Sequence, residues 1–331
     1  MAHWIHEQGI AEERAALIDK GRIVAAHIIG EDRALAAGAI VKGQLTRIAP
    51  GRAHMQLEGG ENAILHPLPA GVTEGAHLAV EIVREEMHER GAGGSRTKPV
   101  RVRAAAPGLA PRPAPSLLEQ LKADGREIIA SRNPADDQLA NVGWHEVMAE
   151  AESGHIGFAG GSLIISPTPA MTLIDVDGDS APLPLALAAA EATAHAMIRL
   201  GITGSVGIDF PTLARKADRT AVLERFDSAM SAPCERTAIN GFGFMQLVSR
   251  RIRPSLVEYA QGDPHRFGLM QLLRRAERTP GHGSLRLIVS NAAAALLSAH
   301  PGWIETLQQR TARPVEIHAR IGLDPAGFAV E

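Results

Sequence analysis

The apolar positions change period along the chain. Near the N-terminus, Ala15-Ala16-Leu17-Ile18 and Ile23-Val24 flank Lys20-Gly21-Arg22, which predicts a hairpin within residues 1–36. Two strands bury too little to stand alone, so the hairpin is expected to join a sheet completed later. Residues 38–103 predict a small all-β unit. Its strand-like stretches are 39–48, 55–57, 63–65, 78–82 and 99–103, with turns at Pro50-Gly51, Gly59-Gly60 and His66-Pro67. Leu78, Val80 and Ile82 alternate with Ala79 and Glu81, the period of a half-buried strand. Five short strands with Gly and Pro turns suit an OB-fold barrel, a platform for nucleic acids.

Four prolines in residues 104–116 read as an extended connection. A helix is predicted over 116–132, with Ser116 and Glu119 as a capping box and Asn133-Pro134 as its end. Residues 144–260 read as α/β. Strands at 162–166 and 171–176 surround a Pro-Thr-Pro turn, and an Ala-rich helix covers 185–200. A strand at 206–210, a helix at 216–230, a strand at 236–240 and a helix at 244–253 follow, the last stopped by Pro254. This order favours a parallel or mixed sheet. Residues 266–331 predict a small α/β unit: helix 267–278, strand 285–289, helices 291–300 and 303–310, and strand 315–320.

Composition narrows the function classes. The 331 residues are 45% hydrophobic, ample for a core and for two or three domains. The formal net charge of −3 gives no long-range pull toward nucleic acid, so any RNA contact must use a local patch. The single cysteine, Cys234, excludes a disulfide framework and a multi-thiolate zinc site within one chain. Met1 is followed by no basic-then-apolar leader, and no window reaches about 18 apolar residues. A soluble cytoplasmic protein without membrane partners is the expectation.

Candidate chemistry gathers at strand ends. In Ile174-Asp175-Val176-Asp177-Gly178-Asp179, acidic residues recur at every second position where an apolar strand stops. On a continuing strand all three would share one face. Crowded carboxylates repel unless a cation sits between them, and hard oxygen donors favour Mg²⁺, Mn²⁺ or Ca²⁺. A polar loop after a strand is the plain alternative. A calcium loop is rejected, because Ala186 stands where its twelfth-position glutamate belongs. Gly207-Ile208-Asp209-Phe210 ends a second apolar strand on an aspartate, and strand carboxyl ends are where α/β sheets gather ligands. A helix cap would explain Asp209 equally well. From Arg90 to Leu118 there is no acidic residue, while Arg90, Arg96, Lys98, Arg101, Arg103 and Arg112 are basic. Arg101 and Arg103 share a face by alternation and suit phosphate contacts, though a solvated charged face has the same pattern. Ser249-Arg250-Arg251-Ile252-Arg253 is a second cationic run, which a helix C-terminus would also favour. The histidines show no metal spacing.

The order of these features resembles the catalytic region of the ribonuclease E/G family. Gly38-Ala39-Ile40-Val41-Lys42-Gly43 is similar to the entry of that family's RNA-binding OB module. The run from Pro167-Thr168-Pro169 through Ile174-Asp175-Val176-Asp177 is similar to its metal-site strand, and Gly207-Ile208-Asp209-Phe210 to the second. Phe242-Gly243-Phe244-Met245-Gln246-Leu247, with Arg250, Arg251 and Pro254-Ser255-Leu256, is similar to the motif that follows. The resemblance implies an α+β, multidomain protein. An OB-fold barrel (38–103) would be inserted in a ribonuclease-H-like subdomain (1–37 and 104–150). A deoxyribonuclease-I-like catalytic subdomain (151–260) and a small C-terminal α/β domain (261–331) would follow. It implies Mg²⁺-dependent cleavage of single-stranded RNA, with Mn²⁺ as a substitute. Asp175 and Asp209 would bind the metal, and Asp177 would stand where the family has a supporting asparagine. Lys42, Lys98, Arg101, Arg103, Arg250 and Arg251 would contact RNA.

The chain departs from the family in defined places. Ser255-Leu256 runs into Val257-Glu258-Tyr259 without the zinc-linking cysteines, so no zinc is expected. A homodimer through the C-terminal domain remains compatible with that loss. The region that senses an RNA 5′ end is shortened. Met55 and Leu65 fall where the family stacks aromatics on bases. Three readings follow: a compact endoribonuclease of RNA processing or decay, a non-catalytic RNA-binding relative, and, without the resemblance, another Mg²⁺-dependent phosphohydrolase.

Overall fold

A computed structural model describes residues 1–331 apart from 32, 92–93, 132–134, 323–328 and 331, with the backbone alone at 88–91, 94–96 and 329–330. The protein is mixed α+β. It divides into two compact units, one built from residues 1–31, 124–153 and 259–331, the other from 32–123 and 154–258. No described helix is long and apolar enough to cross a membrane.

In the first unit, the expected hairpin is the middle of a four-stranded sheet. Strands Glu12–Asp19 and Arg22–Gly30 turn through Lys20 and Gly21, both at positive φ, as a two-residue hairpin loop requires. Strand His3–Gln8 pairs antiparallel with Glu12–Asp19 and parallel with Ile128–Ser131, which completes the sheet from far along the chain. Glu7 stands opposite Arg14 in this register, and both are buried. Helix Pro264–Arg278, capped by the Asp263 carboxylate, supplies Arg274 and Arg278 one turn apart. The Glu7 carboxylate accepts from Arg14 at 2.8 Å, from Arg274 at 3.0 and 3.1 Å, and from Arg278 at 2.6 Å. Glu12 holds the far side of Arg14 at 2.7 Å, and Asp137 accepts from Arg274 at 2.5 Å. A buried charge is tolerated only when paired and hydrogen-bonded, and here every guanidinium meets a carboxylate. Strand Leu285–Ser290 lies between Val315–Arg320 and the short Ala329–Val330. Helices Asn291–Ala299 and Pro301–Thr311 pack Leu297, Trp303 and Leu307 into the same apolar cluster as Leu272 and Leu287.

The second unit contains a closed five-stranded, OB-like barrel and a six-stranded sheet. The barrel strands are Ile40–Ala49, Arg52–Leu57, Asn62–Leu65, His77–Arg84 and Val100–Ala104, matching the five expected stretches. Met55 and Leu65 are fully buried in its core with Leu45, Val80, Ile82 and Val102. They fill the barrel and present no surface to a base. The sheet runs His155–Phe158, Gly161–Pro167, Thr172–Asp177, Ser205–Asp209, Phe244–Val248, Glu235–Arg236. Only Thr172–Asp177 and Ser205–Asp209 pair in parallel, joined by the crossover helix Pro182–Leu200. Small residues on that helix (Ala186, Ala189, Ala190 and Ala194) are fully buried, and helix Lys216–Ala229 packs Val222 and Phe226 inward beside it.

Several expected elements are corrected. The capping box forms, with Glu119 N–H donating to Ser116 Oγ at 3.1 Å, yet the helix is only Leu117–Asp124. Gly125 at φ +76° ends it, and the chain continues as strand Ile128–Ser131. Arg132, Asn133 and Pro134 lie outside the described residues, as do the side chains of Arg90 and Arg96. The helix expected at 244–253 is instead strand Phe244–Val248, followed by irregular chain. Met245 and Leu247 are buried while Gln246 and Val248 are exposed, a period of two that decides for the strand. The strand expected at 236–240 is only Glu235–Arg236. Helices Trp144–Ser153 and Leu256–Gly262 and the hairpin Met87–Gly91 with Gly94–Lys98 were not anticipated.

Candidate active site

Alternation places the acidic residues. On strand Thr172–Asp177, Ile174 and Val176 are buried, so Leu173, Asp175 and Asp177 take the opposite, exposed face. On strand Ser205–Asp209, Val206 and Ile208 are buried and Asp209 is exposed. The parallel register sets Asp175 directly beside Asp209. Strands so paired lie about 4.8 Å apart, so both carboxylates leave one face as close neighbours. The row continues across the sheet: Ile164 stands opposite Asp175, and Phe244 opposite Asp209. Asp177 lies two residues on, where its carboxylate accepts the Gly178 N–H at 2.9 Å. Asp179 falls beyond the strand, in the loop before helix Pro182–Leu200, so two of the three acids share the strand face.

Among the described residues, neither the Asp175 nor the Asp209 carboxylate meets a protein hydrogen-bond donor or cation. Two facing carboxylates with no internal counter-charge are a fitting seat for a hard divalent ion. No group of three His, Cys, Asp or Glu is gathered for a metal among the described residues. A two-carboxylate seat suits Mg²⁺, which keeps several waters and also takes phosphate oxygens.

The loop at the carboxyl end of strand Ser205–Asp209 is tightly held. Asn240 Oδ1 accepts the Phe242 and Phe244 N–H groups at 2.9 and 3.1 Å. Phe210 N–H donates to the Gly243 carbonyl at 3.2 Å. Gly243 sits at φ +99°, where an added Cβ would lie 2.1 Å from the Phe210 carbonyl oxygen, so only glycine fits. The Phe244 ring folds over Gly207, its Cζ 2.5 Å from where a Cβ would stand.

The cations expected to touch RNA separate into two groups. Lys98 and Arg101 line one cleft of about 570 Å³ on the barrel, with Arg52, Arg84, His54, His66 and Asn62, and among the described residues no acidic side chain lines it. Lys98 Nζ also donates to the Pro169 carbonyl at 2.9 Å, just before the Asp175 strand. Arg103 shares the Arg101 face as alternation required, but it pairs with Glu81 at 2.8 Å. Arg251 is held by Glu258 and packs on Gly204, Arg250 is exposed, and Lys42 is exposed on strand Ile40–Ala49; none of the three lines the cleft. Arg52, His54 and Asn62 were missed, although each alternates outward from the buried Ala53, Met55 and Ala63. Cys234 is partly buried, and burial together with nearby Asp227 pushes its thiol up, away from the reactive thiolate.

Residues 114–252, which carry Asp175, Asp209 and the Phe242 loop, match the model of the ribonuclease E/G family. Over this stretch the chain is similar to that family. No curated protein matches the chain significantly.

Proposed function

We propose that the protein is a divalent-metal-dependent endoribonuclease that cleaves single-stranded RNA in RNA processing or decay. The observation that carries this reading is the in-register pair Asp175 and Asp209, exposed on one sheet face within the ribonuclease E/G region. These two carboxylates would hold Mg²⁺ or Mn²⁺, with Asp177 beside them. Bound there, the ion would polarise a phosphate and lower the pKa of a water. The chain's own work is positioning. Arg52, Arg84, Lys98 and Arg101 offer the barrel cleft to consecutive phosphates, while the open sheet face admits a single strand. In this reading, the sheet around Asp175 is the deoxyribonuclease-I-like subdomain (151–260), and the barrel (38–103) interrupts a ribonuclease-H-like subdomain (1–37 and 104–150). A homodimer would use the C-terminal domain (261–331), whose edge strand Val315–Arg320 leaves Ile317 exposed. No zinc is needed, and the cytoplasm is the proposed location.

Wild-type protein should cut a labelled single-stranded oligoribonucleotide internally with Mg²⁺ or Mn²⁺ and leave it intact in EDTA. RNA binding without cleavage would favour the non-catalytic relative, and hydrolysis of small phosphate esters but not RNA would favour another phosphohydrolase. Arg101→Ala should weaken single-strand binding severalfold and flatten the slope of log affinity against log salt by about 0.7 per lost phosphate contact. A titration at several salt concentrations measures it, and an unchanged slope would remove Arg101 from the interface.

A further inference from the structure

The molecule is sparing with aromatics and hides nearly all of them. Trp4, Trp144, Trp303, Phe210, Phe226 and Phe267 are buried, and among the described residues only Phe242 is left exposed, at 85%. Its position is specific. Phe242 sits two residues before Phe244, the cross-strand partner of Asp209, on the loop fixed by Asn240 and Gly243. Two residues span at most roughly 7 Å, which keeps the ring within a nucleotide's reach of the carboxylate pair. An exposed ring on a mobile loop would explain itself as a surface accident. Here the backbone on both sides is pinned: the Phe242 N–H donates to Asn240 Oδ1 at 2.9 Å, and the Phe242 carbonyl accepts from Thr212 Oγ1 at 3.3 Å. The barrel, by contrast, has cations but no aromatic between residues 38 and 103.

We infer that Phe242 is a base-stacking residue of the cleavage site, taking the flat face of a nucleobase near the scissile phosphate of a single-stranded RNA. This rests on the proposed ribonuclease reading. The two contacts then divide the work: the barrel grips phosphates, and one rigid ring beside the carboxylates reads the presence of a base. Every base has a π-face, so such a contact selects an unpaired, stackable nucleotide and tolerates any sequence.

The test uses full-length protein in EDTA, where binding is read without cleavage, and single-stranded oligoribonucleotides carrying 2-aminopurine at successive positions. Wild type should quench the fluorophore at one position. Phe242→Ala should abolish that quenching and weaken binding about tenfold or more, Phe242→Trp should restore both, and an abasic nucleotide at that position should make wild type and Phe242→Ala bind alike. Quenching and affinity unchanged in Phe242→Ala would overturn the inference even if wild type cleaves RNA. Wild type that binds and quenches in this way but never cleaves with Mg²⁺ would support it while overturning the catalytic reading. Wild type that binds no RNA would overturn both.

Discussion

Asp175→Asn and Asp209→Asn should each lower the rate of single-stranded RNA cleavage by at least about a hundredfold. The two carboxylates stand side by side in register, exposed, with no protein cation between them among the described residues. Removing either charge takes away one hard oxygen donor and half of the field that would hold a divalent ion. The same geometry predicts the sign of a second readout. Without metal the facing carboxylates repel, so each variant should unfold at the same denaturant concentration as wild type or a slightly higher one. Calorimetric titration with Mn²⁺ should show weakened binding in both variants. Cleavage that persists in the two variants would sink the site assignment, and a lowered unfolding midpoint would place the residues in the scaffold instead.

Glu7→Gln should cost the first unit about 3–5 kcal/mol. The substitution leaves the buried Arg14 and Arg274 and the partly buried Arg278 around a neutral amide. Burial pushes the Glu7 carboxyl up, but Arg14, Arg274 and Arg278 outweigh it and hold the group below its ordinary value of 4.5. Asp137 is likewise lowered: burial raises it, and the hydrogen bonds from Arg274 and from the Ala140 N–H overcome that. The sign follows from linkage. A carboxyl depressed in the folded state contributes stability that is fully present above its unfolded value and is lost as pH falls through the folded one. Urea unfolding of wild type should therefore weaken below about pH 4.5, and Glu7→Gln should show a smaller part of that acid dependence. A variant as stable as wild type at pH 7 would show that the network carries no net stabilisation.

The legible and illegible parts of this molecule differ for physical reasons. Asp175 and Asp209 could be found because each ends an apolar run, and strand ends in α/β sheets are where ligands gather. Their shared register could not be read, since it depends on how the crossover helix returns the chain. The five barrel strands were legible from alternation between turns. The same alternation, applied to Ala53, Met55 and Ala63, would have shown Met55 as core and Arg52, His54 and Asn62 as lining. Phe244–Val248 was misread as a helix because five residues carry little periodicity and the polar run Ser249–Arg253 extended the apparent pattern. Arg103 lies on the Arg101 face as alternation requires, but its partner Glu81 stands opposite it on the neighbouring strand His77–Arg84, a pairing that a local reading does not show. Glu7, Glu12 and Arg14 look like solvent-facing strand residues. They are buried because Arg14 pairs with both carboxylates, and Arg274 and Arg278, on a helix more than 250 positions away, close around Glu7.

That long-range pairing bears on how the chain is made. A ribosome releases strand His3–Gln8 early, but its parallel neighbour Ile128–Ser131 and the guanidiniums of Arg274 and Arg278 emerge only much later. The barrel and the six-stranded sheet use residues 32–123 and 154–258, and all of them are out before Arg274. The nascent N-terminal strands must therefore wait, Glu7 and Arg14 still hydrated, while the Asp175 sheet has everything it needs to fold. Synthesis thus completes the candidate catalytic sheet first and seals the charged core of the other unit last.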